Sequence, residues 1–156
     1  MVELVYIMDV PNWVDFYINT IFNPNFWPWL PDEDRSFQGL IEETHREPWD
    51  DGRKVGWGVR VAGQYGGMIW GKVEEDVLEV NVVFSPWVKG KDKVEACRIA
   101  ERLCKALDID EVFGFVCVEN KKSLAFCRYL GYKTRTMYKK NRNKQETEYR
   151  EVYKCL

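Results

Sequence analysis

One histidine, His45, in 156 residues leaves little for a Ser–His–Asp triad or a His-rich metal site. The cysteines are five, an odd number: Cys97, Cys104, Cys117, Cys127 and Cys155. They fall in no metal-ligand spacing, and four lie inside helix or strand patterns. Buried free thiols in a reducing cytosol are therefore expected, and no metal. No apolar run approaches the roughly 20 residues needed to cross a bilayer. MVELVYIMDV lacks the basic start, apolar core and small-residue cleavage site of a signal peptide, so a cytoplasmic protein without a membrane partner is expected. Internal repeats and low-complexity linkers are also missing.

What is present fits one globular domain over residues 1–156, with 46% hydrophobic and 31% charged residues. The aromatic share is high at 15%, with seven tryptophans. A net charge of −2 conceals an asymmetry. Residues 1–86 hold 15 acidic and 6 basic side chains, and residues 87–156 hold 10 acidic and 17 basic. Either the halves face different partners or they pair with each other across one surface.

Apolar periodicity sets the element order. A strand is expected at Val2–Met8 and an amphipathic helix at Asn12–Phe22. NPNFWPWLPDED (Asn23–Asp34) has three prolines and reads as irregular. A second helix follows at Ser36–Glu47, then strands at Val55–Ala62, Tyr65–Val73 and Val77–Ser85. Alternation along the last puts Leu78, Val80, Val82 and Phe84 on one face and Glu79, Asn81 and Val83 on the other. A long helix is expected from Asp92 to Leu107, followed by a strand at Glu111–Val118, a short helix at Ser123–Leu130 stopped by Gly131, and strands at Tyr132–Tyr138 and Glu146–Cys155. KKNRNKQ reads as a basic hairpin tip, with nucleic-acid binding the weakest of its readings because the acidic N-terminal half would repel phosphate. The result is a mixed α/β sheet of about seven strands and about four helices, with a right-handed parallel crossover at its centre.

Val80–Leu107 is the organising stretch: a buried strand, a basic glycine-containing turn and a long helix. Such a helix start offers free N–H groups and the positive end of a dipole to a phosphate. This order, and the segment Val118-Glu-Asn-Lys-Lys-Ser-Leu-Ala-Phe-Cys-Arg-Tyr-Leu-Gly-Tyr132, resembles the GNAT superfamily of acyl-CoA-dependent N-acetyltransferases. Asn120, Ser123, Phe126, Leu130, Gly131 and Tyr132 fall in register with its N-x-x-A/S…L-G-F/Y pattern. The divergent motifs also resemble, in style, small phage-encoded proteins of this fold, some linked to virion morphogenesis.

The resemblance implies acetyl-CoA as co-substrate, held by the backbone of Val82, Val83 and Phe84 and by the turn Lys89, Gly90, Lys91, Asp92, Lys93 and Val94, with Asn120 nearby. The family pattern for that turn is R/Q-x-x-G-x-G/A. Here Asp92 and Val94 replace the later glycines, adding negative charge and a β-branched side chain where backbone meets phosphate. Asp92 with Glu95 also reads as a variant capping box. Cys127 stands where many relatives place a tyrosine acid, and Ser123 is shared with relatives that modify protein N-termini. Glu79 is the candidate base. The resemblance places the acceptor pocket at the aromatic and acidic wall, with Trp27, Trp29 and Glu42 as candidate substrate residues. The implied reaction is acetyl transfer to a small cationic amine or a protein amino group; a GNAT-fold protein without catalysis, binding a protein partner through its aromatic N-terminal half, is the alternative.

Overall fold

The computed structural model describes residues 1–35, 49 and 52–156, so the expected helix at Ser36–Glu47, with His45 and Glu42, lies outside the described residues. Seven strands make one sheet: β1 (Val2–Tyr6), β2 (Lys54–Val61), β3 (Gln64–Glu74), β4 (Val77–Phe84), β5 (Glu111–Cys117), β6 (Lys133–Arg142) and β7 (Gln145–Cys155). Three α-helices are described: α1 (Trp13–Ile21), α2 (Gly90–Ala106) and α3 (Lys121–Tyr129). The sheet order is β1-β2-β3-β4-β5-β7-β6, antiparallel except for the parallel pair β4–β5 joined through α2. No helix among the described residues is long and apolar enough to cross a membrane.

Strand alternation divides the core in two. Val59, Ile69, Leu78 and Val112 face α2, whose inward stripe is Ala96, Cys97, Ala100 and Cys104. On the other face Met68, Trp70 and Val83 pack with Tyr17 and Ile21 of α1, and with Ile7 and Trp49. The period-2 reading of β4 is therefore realised, with Glu79 and Asn81 on the α1 side.

Several boundaries differ from expectation. The first strand stops at Tyr6, and Ile7–Asp9 turns into a 3₁₀ helix that buries Ile7 completely. The proline-rich stretch is not wholly irregular: Trp27–Trp29 and Asp32–Asp34 each form a 3₁₀ turn, the first with proline in its opening turn where a missing N–H costs nothing. The basic hairpin tip is largely strand, because β6 continues to Arg142 and only Asn143 and Lys144 turn, both at positive φ. Of the five thiols, Cys97, Cys104 and Cys117 are buried as expected, Cys127 is half-buried, and Cys155 at the end of β7 is exposed.

Candidate active site

The parallel pair at the sheet centre is short. β4 and β5 are in register only over Val77↔Glu111, Leu78↔Val112 and Glu79↔Phe113, and beyond Glu79 they part. Backbone direction along β4 follows from the close approaches of glycines on its neighbours. A Cβ on Gly71 would strike the Glu79 carbonyl and one on Gly67 the Val83 carbonyl, so both of these face β3. A Cβ on Gly114 would lie 3.0 Å from the Val80 carbonyl, which therefore faces β5. By alternation, Val82 and Phe84 also present their N–H and C=O groups to the opening. Val83 is turned away, with its backbone toward β3 and its side chain buried. Of the three residues expected to meet the cofactor backbone, two face the opening.

α2 begins beside the end of β4, with Lys89 as its N-cap residue and no side chain capping it. Asp92 is thus not the cap that the sequence pattern suggested. It sits at the third helical position, and its own N–H donates to the Lys89 carbonyl at 3.0 Å. Space around the Gly90 Cα is open. Val94 packs against the core on the α2 side, so its branched side chain does not stand over the turn. Lys93 lies over the Phe84 ring, 5.9 Å from Nζ to centroid. These features fit a phosphate-bearing ligand at the first turn of α2, with Lys89, Lys91 and Lys93 at hand and Asp92 opposing.

α3 forms the wall opposite. Asn120 is its N-cap, and its side-chain oxygen accepts from the Ser123 N–H at 3.3 Å, which is the local role the Asn-led segment allows. Phe126 meets Phe84 edge-on at 6.4 Å between centroids. Burial pushes the Cys127 thiol up to about 11, so it keeps its proton at neutral pH. Tyr129 points away, 70% exposed. Tyr132 is half-buried and its hydroxyl is pushed far up by burial, then by Glu101.

On the α1 face the sheet floors a cleft of about 410 Å³. Glu79 and Asn81 of β4, Trp70, Gly71 and Lys72 of β3 and Lys54 of β2 form its base. Tyr17 and Ile21 of α1, Phe26, Leu30, Glu33 and Asp34, and Trp49 form its sides. The aromatic rings brace one another edge-on: Tyr17 with Trp49 at 5.6 Å and with Trp70 at 6.2 Å, and Phe26 with Trp70 at 5.6 Å. Glu79 stays exposed through the cleft, yet the surrounding protein desolvates it enough to raise its pKa. Lys72 and Lys140 pull that pKa down and Asp34 pushes it up.

The wall carrying Phe26 to Asp34 is fastened to the far edge of the sheet. Asp32 accepts from the Asn143 N–H at 2.7 Å and the Lys144 N–H at 2.9 Å, capping the β6–β7 turn. Those N–H groups hold the Asp32 carboxyl below the usual carboxylate range. Lys140 pairs with Glu33 at 2.6 Å, Arg142 lies over Trp29 at 5.3 Å, and the Tyr149 hydroxyl donates to the Trp29 carbonyl at 2.9 Å. The expected substrate residues Trp27 and Trp29 do not line the cleft: Trp27 stacks on Phe22 at 4.2 Å, and Trp29 anchors the loop. Trp49, Trp70, Tyr17, Lys54 and Lys72 line it instead and were not singled out from the sequence. For Lys72 and Trp70 the signal was available, since the β3–β4 register pairs them with Glu79 and Asn81.

No protein-family model and no curated protein sequence matches this chain. Solved structures do match it. Spermidine N-acetyltransferase from Vibrio cholerae, solved with CoA and spermine, superimposes with a TM-score of 0.78 at 16% identity, over 99% of this chain and 94% of that one. A probable acetyltransferase from Staphylococcus epidermidis ATCC 12228 gives 0.71 at 12%, over 99% and 98%. A putative phosphinothricin N-acetyltransferase gives 0.72 at 14%, over 100% and 98%. The chain has the GNAT fold, as its element order led one to expect. At such identities the likeness carries the fold and not the activity.

Proposed function

We propose that this chain, built on the GNAT fold, transfers an acetyl group from acetyl-CoA to a primary amine. The observation that carries the reading is that β4 and β5 part at Glu79, the same residue that floors the cleft. A thioester lying along the open edge of β4 would meet an acceptor amine beside a carboxylate. Acetyl-CoA supplies the activated acetyl group; the chain supplies orientation and proton handling. The backbone of Val82 and Phe84 takes the pantetheine amides, and the first turn of α2 with Lys89, Lys91 and Lys93 takes the pyrophosphate. Glu79, with its raised pKa, accepts the proton of the incoming ammonium directly or through water. The open N–H groups of β4 stabilise the oxyanion. Cys127 holds a proton for the departing thiolate, while Asn120 and Ser123 shape the α3 end of the groove. A cleft of about 410 Å³ favours a small amine over a protein amino group.

Acetyl-CoA titrated into the protein is expected to raise its melting temperature, since a ligand at about 100 times its Kd adds about 2.7 kcal/mol of stability. Amine-dependent release of free thiol is expected from the same mixture. No thermal shift at millimolar acetyl-CoA would overturn the proposal. A second reading, an assembly or regulatory protein of the kind encoded by phages, is favoured by one feature: Phe115, Met137 and Tyr138 are each at least 36% exposed on β5 and β6. Under that reading acetyl-CoA leaves the melting temperature unmoved and a stoichiometric protein partner is recovered.

A further inference from the structure

Past Glu79, the next side chain on the cleft face of β4 is Asn81. Its backbone is committed to β3, where it pairs with Trp70, and the Trp70 side chain lines the cleft on that side. On the other side, continuing the register from Glu79↔Phe113 would set Phe115 against Asn81, but β4 and β5 have already parted there. Asn81 therefore stands at the lip of the opening, between Val80, whose carbonyl faces it, and Val82, whose backbone faces it by alternation. Val83, the next residue on the same face, is buried in the core, so Glu79 and Asn81 are what β4 brings to the cleft. Asn81 is half-buried, and among the described residues its amide makes no hydrogen bond. A half-buried amide with no protein partner carries a desolvation cost that a ligand in the cleft relieves. It is also free to turn either its oxygen or its NH₂ group toward that ligand.

We propose that Asn81 Oδ1 accepts a hydrogen bond from the acceptor nitrogen throughout the reaction, and that this bond selects primary over secondary amines. The proposal rests on the acetyl-transfer reading of the cleft and names the residue that sets its acceptor class. Alternate residues of a strand lie about 6.5–7 Å apart. A nitrogen bonded to one oxygen of each at about 2.9 Å needs those oxygens about 5 Å apart, which the two side chains reach by leaning together. The nitrogen so held sits beside the parting of the strands, where the thioester lies. A primary ammonium has three N–H bonds. One proton leaves through Glu79 to water, and the freed electron pair forms the C–N bond to the thioester carbon. The C–S bond breaks and its electrons leave with sulfur; a second nitrogen proton replaces the one that Cys127 gives to that sulfur. The third N–H survives in the product amide and stays on Asn81. A secondary ammonium has two N–H bonds and loses both, which leaves Asn81 without a donor as the amide forms.

The test sets butylamine and 2-phenylethylamine each against its N-methyl derivative, with acetyl-CoA and a thiol-release assay. In the wild-type protein kcat/KM for the primary amine is expected to exceed that for the N-methyl amine by about tenfold or more. Bulk also works against the added methyl group, so the readout is the change in this ratio on substitution. Asn81→Leu keeps the size of the side chain and removes its acceptor, and the ratio should fall by about tenfold through a slower primary amine. Asn81→Ala reads the same quantity should the leucine protein not fold. Asn81→Asp keeps an acceptor oxygen and should retain most of the preference. A ratio unchanged in the Leu and Ala proteins overturns the inference, as does a fall that comes from a faster N-methyl amine, or an Asp protein that loses the preference as fully as Leu. In each of these outcomes acetyl transfer itself stands. Thiol release with none of the amines overturns the inference and the acetyl-transfer reading together.

Discussion

Replacing Glu79 by Gln tests the centre of the mechanism, because it keeps the shape of the side chain and removes only its ability to take a proton. General-base catalysis contributes about 10²–10⁴ in rate. Glu79 remains open to water through the cleft, and water can partly replace it, so the lower figure applies. A hundredfold loss in kcat corresponds to about 2.7 kcal/mol in the barrier. The pH dependence gives a sharper criterion. Burial raises the Glu79 pKa above its ordinary value, so wild-type kcat/KM falls as pH drops through that raised pKa. Glu79→Gln should lack this acid limb and retain only the rise due to the acceptor amine itself. The stability change has the opposite sign. A carboxyl whose folded pKa is raised contributes stability that is present below its unfolded pKa and lost as pH rises through the folded one. At pH 7 the Gln protein should therefore melt no lower than wild type, which excludes misfolding as the cause of lost activity. The steady-state assay is thiol release across pH 5–9, with a thermal melt at each pH. A Gln protein within threefold of wild type, or one with an unchanged acid limb, refutes the assignment of Glu79 as base.

Lys140→Met removes a cation that lowers the Glu79 pKa, so the acid limb of kcat/KM should move to higher pH, read from the same profile. Gly71→Ala forces a methyl group onto the Glu79 carbonyl between two central strands, at a cost of about 3 kcal/mol or more, measured by urea denaturation. Asp92→Asn removes a negative charge from the first turn of α2; acetyl-CoA should bind about 2–5-fold more tightly by calorimetry, while the helix loses a favourable charge–dipole contact and the apo protein melts slightly lower. Asp32 is held ionised by the Asn143 and Lys144 N–H groups, so its contribution is present above the ordinary carboxylate range and disappears as pH falls through its depressed pKa. Tryptophan emission should report release of the Trp27–Trp29 turn in that acid window, and Asp32→Asn should show the released signal at neutral pH.

The fold was legible because its strongest signals are periodic and local. β4 alternates cleanly, α2 carries a four-residue stripe of small buried side chains, and Asn120 to Tyr132 marks a capped helix and its stop. The candidate site was legible only where it lies on those elements, namely Glu79 and Asn81. Its remaining walls depend on strand register, which brings Lys54, Lys72 and Glu79 into one row from separate segments of sequence. Composition misled at Trp27 and Trp29, since a tryptophan in a proline-rich loop serves equally to anchor the loop or to line a pocket. The cap was misread for a similar reason. Asp92 followed by Glu95 has the spacing of a capping box, but Gly90 and Lys91 are helical too, which starts the helix earlier and places Asp92 inside it.

The uneven distribution of charge along the chain has a structural answer in the same region. Asp32 and Glu33 from the acidic half meet the β6–β7 turn and Lys140 from the basic half, while Arg142 reaches both the Pro28 carbonyl and Glu119. Exposed ion pairs of this kind are individually weak, and their value here is positional. They attach a loop with little regular structure to a strand pair that is itself rigidly hydrogen-bonded, and that loop carries Phe26, Leu30, Glu33 and Asp34 into the cleft. The basic edge strand pairs Lys139 with Glu146, Lys140 with Glu33 and Arg142 with Glu119. The acidic rim of the cleft owes its position to the opposite edge of the sheet. Charge at β6 therefore bears on the Glu79 pKa at β4 through Lys140, which touches Glu33 directly and Glu79 through its field.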